Sequence, residues 1–227
     1  MSSQPPLAQQ PPPAPAGAMN LGPFVSKAWA LVTADLVLFI VGYLIVAAIG
    51  SVPLVGLVVG GPLMFGFLRI VQKRYRGEPA AIGDVFQGFQ DFGKAFVTCL
   101  LLLVAALAVA IPFMIMAFVL RYVPCVGQIL TIILGLALYL ALLAAVFFVM
   151  PIAALTNATP MEAITKSVKF CIANIGPMVL LAVVTGLIAM AGGLACGVGA
   201  LLTVPLAMAI QIIAFNEYYL PNSANIA

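Results

Sequence analysis

Apolar and polar positions follow a helical period in three stretches of the chain, and each stretch opens onto a long apolar run. In the first, Phe24, Val25, Ala28, Trp29, Leu31 and Val32 gather on one face, with Ser26, Lys27, Ala30 and Thr33 on the other. In the second, Ile82, Val85, Phe86, Phe89 and Phe92 stand opposite Asp84, Gln87, Gln90 and Asp91. In the third, Met161, Ile164, Val168, Cys171 and Ile172 stand opposite Glu162, Thr165, Lys166 and Lys169. The stretches close on Asp35, Asp91 and Asn174, and the apolar runs then carry Val55-Gly56, Val126-Gly127 and Val198-Gly199. This regularity predicts three internal repeats, over residues 21–76, 80–153 and 159–219.

Each apolar run is long enough for two membrane crossings, since a spanning helix needs about 20 residues. Spans are predicted at 34–52 and 56–74, 92–119 and 127–151, and 174–193 and 199–217. Gly50-Ser51-Val52-Pro53, Tyr122-Val123-Pro124 and the stretch from Gly192-Gly193 onward supply the turns. Pro62 and Pro205 occupy equivalent places in copies one and three, where copy two has Ile133. Thr159, Pro160 and Glu162 have the spacing of a capping box at the start of the third amphipathic stretch.

The predicted fold is therefore an all-α integral membrane domain over 21–219. About six transmembrane helices form three hairpins, each preceded by an amphipathic helix in the headgroup plane. Residues 1–20, rich in Pro, Gln and Ala, are predicted to be a disordered tail. They lack the charged and apolar regions of a secretory signal. Residues 220–227 are read as a short second tail.

Composition agrees with a lipid solvent: 65% of the residues are hydrophobic and only 7% charged, against about 25% charged in soluble domains. In the six-span reading, eight of the nine cations fall on one side, with Arg121 alone on the other. The positive-inside rule then places both termini in the cytoplasm of a cell, with the chain in a bacterial inner membrane. Arg69, Lys73, Arg74 and Arg76 form the one dense basic cluster, read either as a topology anchor or as a contact for anionic lipid. A net charge of +3 is too small to suggest nucleic-acid binding.

Catalytic chemistry is hard to place. With no His, neither a Ser/His/Asp triad nor an HExxH zinc site can be built, and no phosphate-cradling glycine motif precedes a helix. No catalytic, metal or cofactor site is expected. Asp35, Asp91 and Asn174 are read as repeated helix caps, with a polar cavity mouth as the alternative role. Gln211, in the last span, is a weak cavity candidate whose other reading is interhelical hydrogen bonding. Cys125 and Cys196 fall in outer turns, where a disulfide and two free thiols are both open.

Ala163-Ile164-Thr165-Lys166-Ser167 followed by Asn174-Ile175-Gly176 resembles a motif of uncharacterised bacterial multi-pass proteins. These are the YciC-like group and the membrane domain attached to some glycerophosphodiester phosphodiesterases. Gly61-Pro62-Leu63 with Gly66 and Arg69, Arg76-Gly77-Glu78, and Asp84-Val85-Phe86 with Phe89 are similar to the loop of that group. The resemblance implies a six-span membrane domain, without the phosphodiesterase catalytic domain. The expected role is non-enzymatic membrane organisation or scaffolding, with membrane lipids as partners and a second copy or another membrane protein as further candidates. The alternatives are a small permease or transporter subunit and, third, a lipid-modifying enzyme working at the inner face.

Overall fold

In the computed structural model, residues 21–122, 126–194 and 199–223 are described, and they are helical almost throughout, with no strand among them. Helices α1 (Leu21–Ala34), α2 (Leu36–Gly50) and α3 (Pro53–Tyr75) lead to a 3-10 segment, Ile82–Asp91. Then come α4 (Phe92–Leu120), α5 (Val126–Val146), α6 (Val149–Leu155), α7 (Pro160–Ala173) and α8 (Ile175–Leu194). Helix α9 (Ala200–Ala214) runs through a π-helical turn, Phe215–Tyr219, into α10 (Leu220–Ser223). Five helical stretches are long and apolar enough to cross a membrane. The pair α1–α2, which turns by 91° at Asp35, is apolar enough to bring the number to six if the two together are counted as one broken span. The 1–20 tail, the end of the second tail and the Cys125–Cys196 bridge lie outside the described residues; Leu220–Ser223 is helix where a tail was expected.

Helix α3 is the axis of the fold. It packs against α2, the 3-10 segment, α4, α6 and α9, and from Gly61 to Gln72 nearly every residue is buried. Pro53 begins it, three residues before the expected span, because proline suits a first helical turn. Gly77 ends it: at φ 75° this residue adopts the left-handed conformation that side chains disfavour. The Gly77 and Glu78 amides then donate back to the Arg74 and Lys73 carbonyls at 3.1 and 2.9 Å, a Schellman closure.

Two expectations need correction. The second amphipathic stretch is a 3-10 helix, not one of 3.6-residue period, and it runs on into α4, so that Ile82–Leu120 forms one helical stretch of 39 residues. Three residues per turn divide its side chains into three rows instead of two faces. Ile82, Val85 and Gly88 pack inward, Asp84 and Gln87 are half-buried, and Phe86, Phe89 and Phe92 are exposed. Phe86, Phe89 and Phe92 stack with centroids 6.3 Å apart, since i, i+3 side chains eclipse in this geometry, and Phe96, one α-helical turn on, extends the stack at 6.0 Å.

The expected 127–151 span is present as Val126–Leu155, one stretch long and apolar enough to cross, with its regular α-helix interrupted after Val146 between α5 and α6. Pro151 explains the break, for it has no N–H to give the Phe147 carbonyl four residues back. Helix α7 is also rotated from its expected face. Ala163, Ser167, Phe170 and Cys171 point into the protein, while Met161 and Ile172 are exposed.

The buried core is concentrated at the end of the bundle where the charges lie. Phe148, Phe170, Phe215 and Tyr219 form an aromatic cluster there, with ring centroids 4.8–6.2 Å apart. Toward the far ends of the helices buried residues are sparse, among them Val46, Gly127, Thr185, Gly192, Pro205 and Leu206. Leu54 at the start of α3 is 80% exposed and Met114 in α4 68%.

Candidate functional site

The charged end is built by the last two turns of α3, which send consecutive side chains to different neighbours. Arg69 pairs with Asp91, and its second nitrogen donates to the Gln87 carbonyl at 2.9 Å. Lys73 bridges to Asp84 at 3.0 Å and also reaches Gln87. Arg74 pairs with Asp35. Gln72 exchanges hydrogen bonds with the Asn216 amide at 2.7 and 3.0 Å, and the Arg76 guanidinium lies 3.1 Å from the Gln72 amide. Tyr75 donates to Glu217 at 3.1 Å, and Lys27 of α1 holds the same carboxylate at 2.7 Å.

The π-helical turn makes the opposite half of this junction. Its wider turn aims four successive side chains in four directions. Asn216 reaches α3, and Glu217 reaches α1 and α3. Tyr218 donates to Asn174 at 3.0 Å, and Tyr219 joins the aromatic cluster. Close backbone contact lets the charges meet. A methyl group on Gly66 would fall on the Val85 carbonyl, and one on Gly88 on the Pro62 carbonyl. One on Gly61 would lie 2.8 Å from the Ala95 carbonyl. The small-residue spacing in α3 is therefore a packing device.

The repeated Asp/Asp/Asn positions work differently from the caps expected of them. Asp35 and Asp91 do occupy the N-cap positions of α2 and α4, but neither carboxylate makes a capping hydrogen bond. Each turns instead to an arginine of α3, a stronger partner than a backbone N–H. Asn174 donates to the Phe170 carbonyl and accepts from Tyr218. What the positions share is backbone: φ/ψ is −138/55 at Asp35, −110/37 at Asp91 and −134/44 at Asn174. These are non-helical angles that Asp and Asn tolerate, and they stop one helix and start the next without a loop. At Asp35 the result is a one-residue corner of 91°, whereas at Asp91 the 3-10 segment and α4 continue as one stretch.

Of the four cations read as a lipid contact, Arg69, Lys73 and Arg74 are each engaged by a carboxylate, which leaves Arg76 without one among the described residues. Gln211 donates to the Phe147 carbonyl, the group that Pro151 leaves without a partner. Ser167 completes the repair from α7, accepting from the Phe148 N–H at 3.3 Å and donating to the Ala145 carbonyl at 2.7 Å. Sequence reasoning missed Ser167, Asn216 and Glu217. The signal for Ser167 was Pro151, whose missing donor demands a partner nearby; nothing comparable marks the other two.

At the start of α7 the capping box is formed. Thr159 Oγ1 accepts from the Glu162 N–H at 3.3 Å, and Glu162 accepts from the Thr159 N–H at 2.8 Å. The Thr159 N–H holds the Glu162 carboxyl below its ordinary range, helped by the Thr159 hydroxyl and by Lys166. No group of three or more metal-ligating side chains occurs among the described residues. A groove of about 210 Å³ between α4 and α5 is lined by Ala106, Val109, Ala110, Phe113, Gly135 and Tyr139, among others, and is almost wholly apolar. No family model matches the chain, and no curated protein or solved structure does either.

Proposed function

We propose that the chain is a multi-pass membrane protein that organises lipid through its charged end, without an enzymatic step. In this reading α2–α3, α4–α5 and α8–α9 are three transmembrane hairpins, and α1 and α7 lie in the headgroup plane. The 3-10 segment leans on α3 and takes that place in the second repeat. Charge asymmetry puts this end, and both termini, on the cytoplasmic side of a bacterial inner membrane. Kinship with the YciC-like group belongs to the same proposal.

One observation carries the reading: at the charged end four ion pairs close on themselves, and large apolar side chains stand exposed beside them and beside Arg76, Lys166 and Lys169, cations in no ion pair among the described residues. Four carboxylates engage four cations, Gln72 and Asn216 engage each other, and Gln211 and Ser167 serve a broken backbone. Around them Trp29, Phe86, Phe89, Met161 and Ile172 are exposed. Such a surface suits the boundary between headgroups and acyl chains, where aromatic residues concentrate. The permease alternative needs polar side chains free to line a path, and the candidates Gln211, Thr131 and Asp91 are already hydrogen-bonded.

The single tryptophan makes the reading testable. In phosphatidylcholine–phosphatidylglycerol vesicles, Trp29 fluorescence should be quenched by lipids brominated near the top of the acyl chain, and less by lipids brominated near its end. Unquenched fluorescence with any brominated lipid would refute the placement of α1.

A further inference from the structure

Because its core and its extra helices lie at one end, we infer that the chain is a wedge, and that it prefers membrane whose leaflet on the charged side is convex. The inference rests on the proposed function and adds a mechanical property to it. At the charged level the cross-section holds α1, the 3-10 segment and α7 besides the long helices. Among the described residues the far end holds helix ends, with Ser51 and Val52 joining α2 to α3.

The added width follows from helix dimensions. Helix α1 meets α2 at 91°, and Asn174 repeats the backbone angles of Asp35 between α7 and α8. The Asp35 corner lays α1, a helix of 14 residues, across the bundle, and α7, of the same length, packs against α4, α5 and α6 at the same level. At 1.5 Å per residue and about 10 Å across, each covers about 200 Å², so the two add about 400 Å² to one leaflet. The 3-10 segment widens the same level.

Packing ties the hairpins to one another at the charged end, whereas close glycine contacts at the far end stay within a hairpin, Gly56 against Gly50 and Gly192 against Gly199 and Thr203. Gly66 against Val85, Gly88 against Pro62 and Gly61 against Ala95 lock α3 to the second repeat at the charged end. Past these contacts the two hairpins lose each other: Leu54, Val55, Leu57 and Val58 of α3 are exposed, as are Leu107, Ile111, Met114 and Ile115 of α4. Lipid chains fill the space between them. A body that excludes more area from one leaflet than from the other has lower energy where that leaflet is stretched, which is the convex side of a bend.

The test uses giant vesicles of phosphatidylcholine with a minority of phosphatidylglycerol, carrying the full chain labelled at one terminus, from which narrow membrane tubes are pulled. A membrane-impermeant quencher reports which molecules have the charged end outside. Those molecules should be enriched in the tube by about twofold over the flat membrane, and the opposite orientation should be depleted. Equal density for both orientations, or enrichment of the opposite one, would overturn the wedge. The double variant Phe86→Ser with Met161→Ser, at exposed positions, should reduce the enrichment without unfolding the chain; an unchanged ratio would count against the wedge. If sorting fails while Trp29 is still quenched by brominated lipid, only the curvature inference falls. If both fail, the functional reading falls with it.

Discussion

Replacing Gly66 by alanine should separate the 3-10 segment from α3. The new methyl group would lie on the Val85 carbonyl and 2.9 Å from the Val85 Cα, whereas ordinary carbon contacts lie at about 3.5–4.0 Å. Since both obstacles are backbone, no rotamer change relieves them. The segment must retreat on the order of 1.5 Å to restore contact distance. Overpacking of this kind costs about 1–3 kcal/mol. The retreat also stretches the hydrogen bond from Arg69 to the Gln87 carbonyl, now 2.9 Å, and losing it adds about 1 kcal/mol. The half-exposed Lys73–Asp84 bridge adds at most about 1 kcal/mol. A total near 3 kcal/mol lowers the folding equilibrium by about two powers of ten. The assay is equilibrium unfolding in mild detergent titrated with dodecyl sulfate, followed by circular dichroism and by Trp29 fluorescence. Gly83→Ala is the control, because nothing lies within 4 Å of a methyl group there; it should change stability by less than about 0.5 kcal/mol. If Gly66→Ala unfolds at the same dodecyl sulfate fraction as Gly83→Ala, the close approach is not a structural determinant and the reasoning fails.

Further outcomes follow from the same contacts. Gln211→Leu should cost about 1–2 kcal/mol, by stranding the Phe147 carbonyl. In a Pro151→Ala background the restored N–H can serve that carbonyl, so a double-mutant cycle should give a coupling of about 1 kcal/mol; additive losses would disprove the pairing. Gly77→Ala forces a side chain into a φ of 75° and should destabilise by about 1 kcal/mol in the same titration. Glu162 titrates below its ordinary value in the folded chain. Its contribution to the start of α7 is therefore complete above that ordinary value, and it is lost as pH falls through the depressed one. Amide exchange at the α7 N-terminus should accelerate over that acidic window, and Glu162→Gln should abolish the pH dependence.

The long helices were legible because unbroken apolar runs leave few alternatives: α2, α4 and α8 begin and end within two residues of the predicted spans 34–52, 92–119 and 174–193. The Thr159 box was legible for a similar reason, since its three residues act within one turn. The 3-10 segment was not, because Phe86, Phe89 and Phe92 satisfy a period of three about as well as one of 3.6, and only the approach of Gly88 to Pro62 selects between them. The ion pairs stayed hidden because each joins distant residues: Lys27 and Glu217 are 190 positions apart. Asp35 shows the limit most clearly. Its place at a helix start was readable, but whether its carboxylate caps that helix or meets Arg74 depends on how α3 packs.

One dimension of the fold has a bearing on the lipid itself. Helix α4 has 29 residues and α2 only 15, so they measure about 43 and 22 Å at 1.5 Å per residue. The first exceeds a hydrocarbon layer of about 30 Å and the second falls short of it. In the proposed arrangement, where both helices cross, α4 would lean by about 45° and α2 would draw the leaflets together. The two flanks of a single molecule would then favour bilayers of different thickness. Such a molecule would be at ease where a thick patch of membrane meets a thin one, and it would mark that seam in a bilayer of mixed acyl lengths.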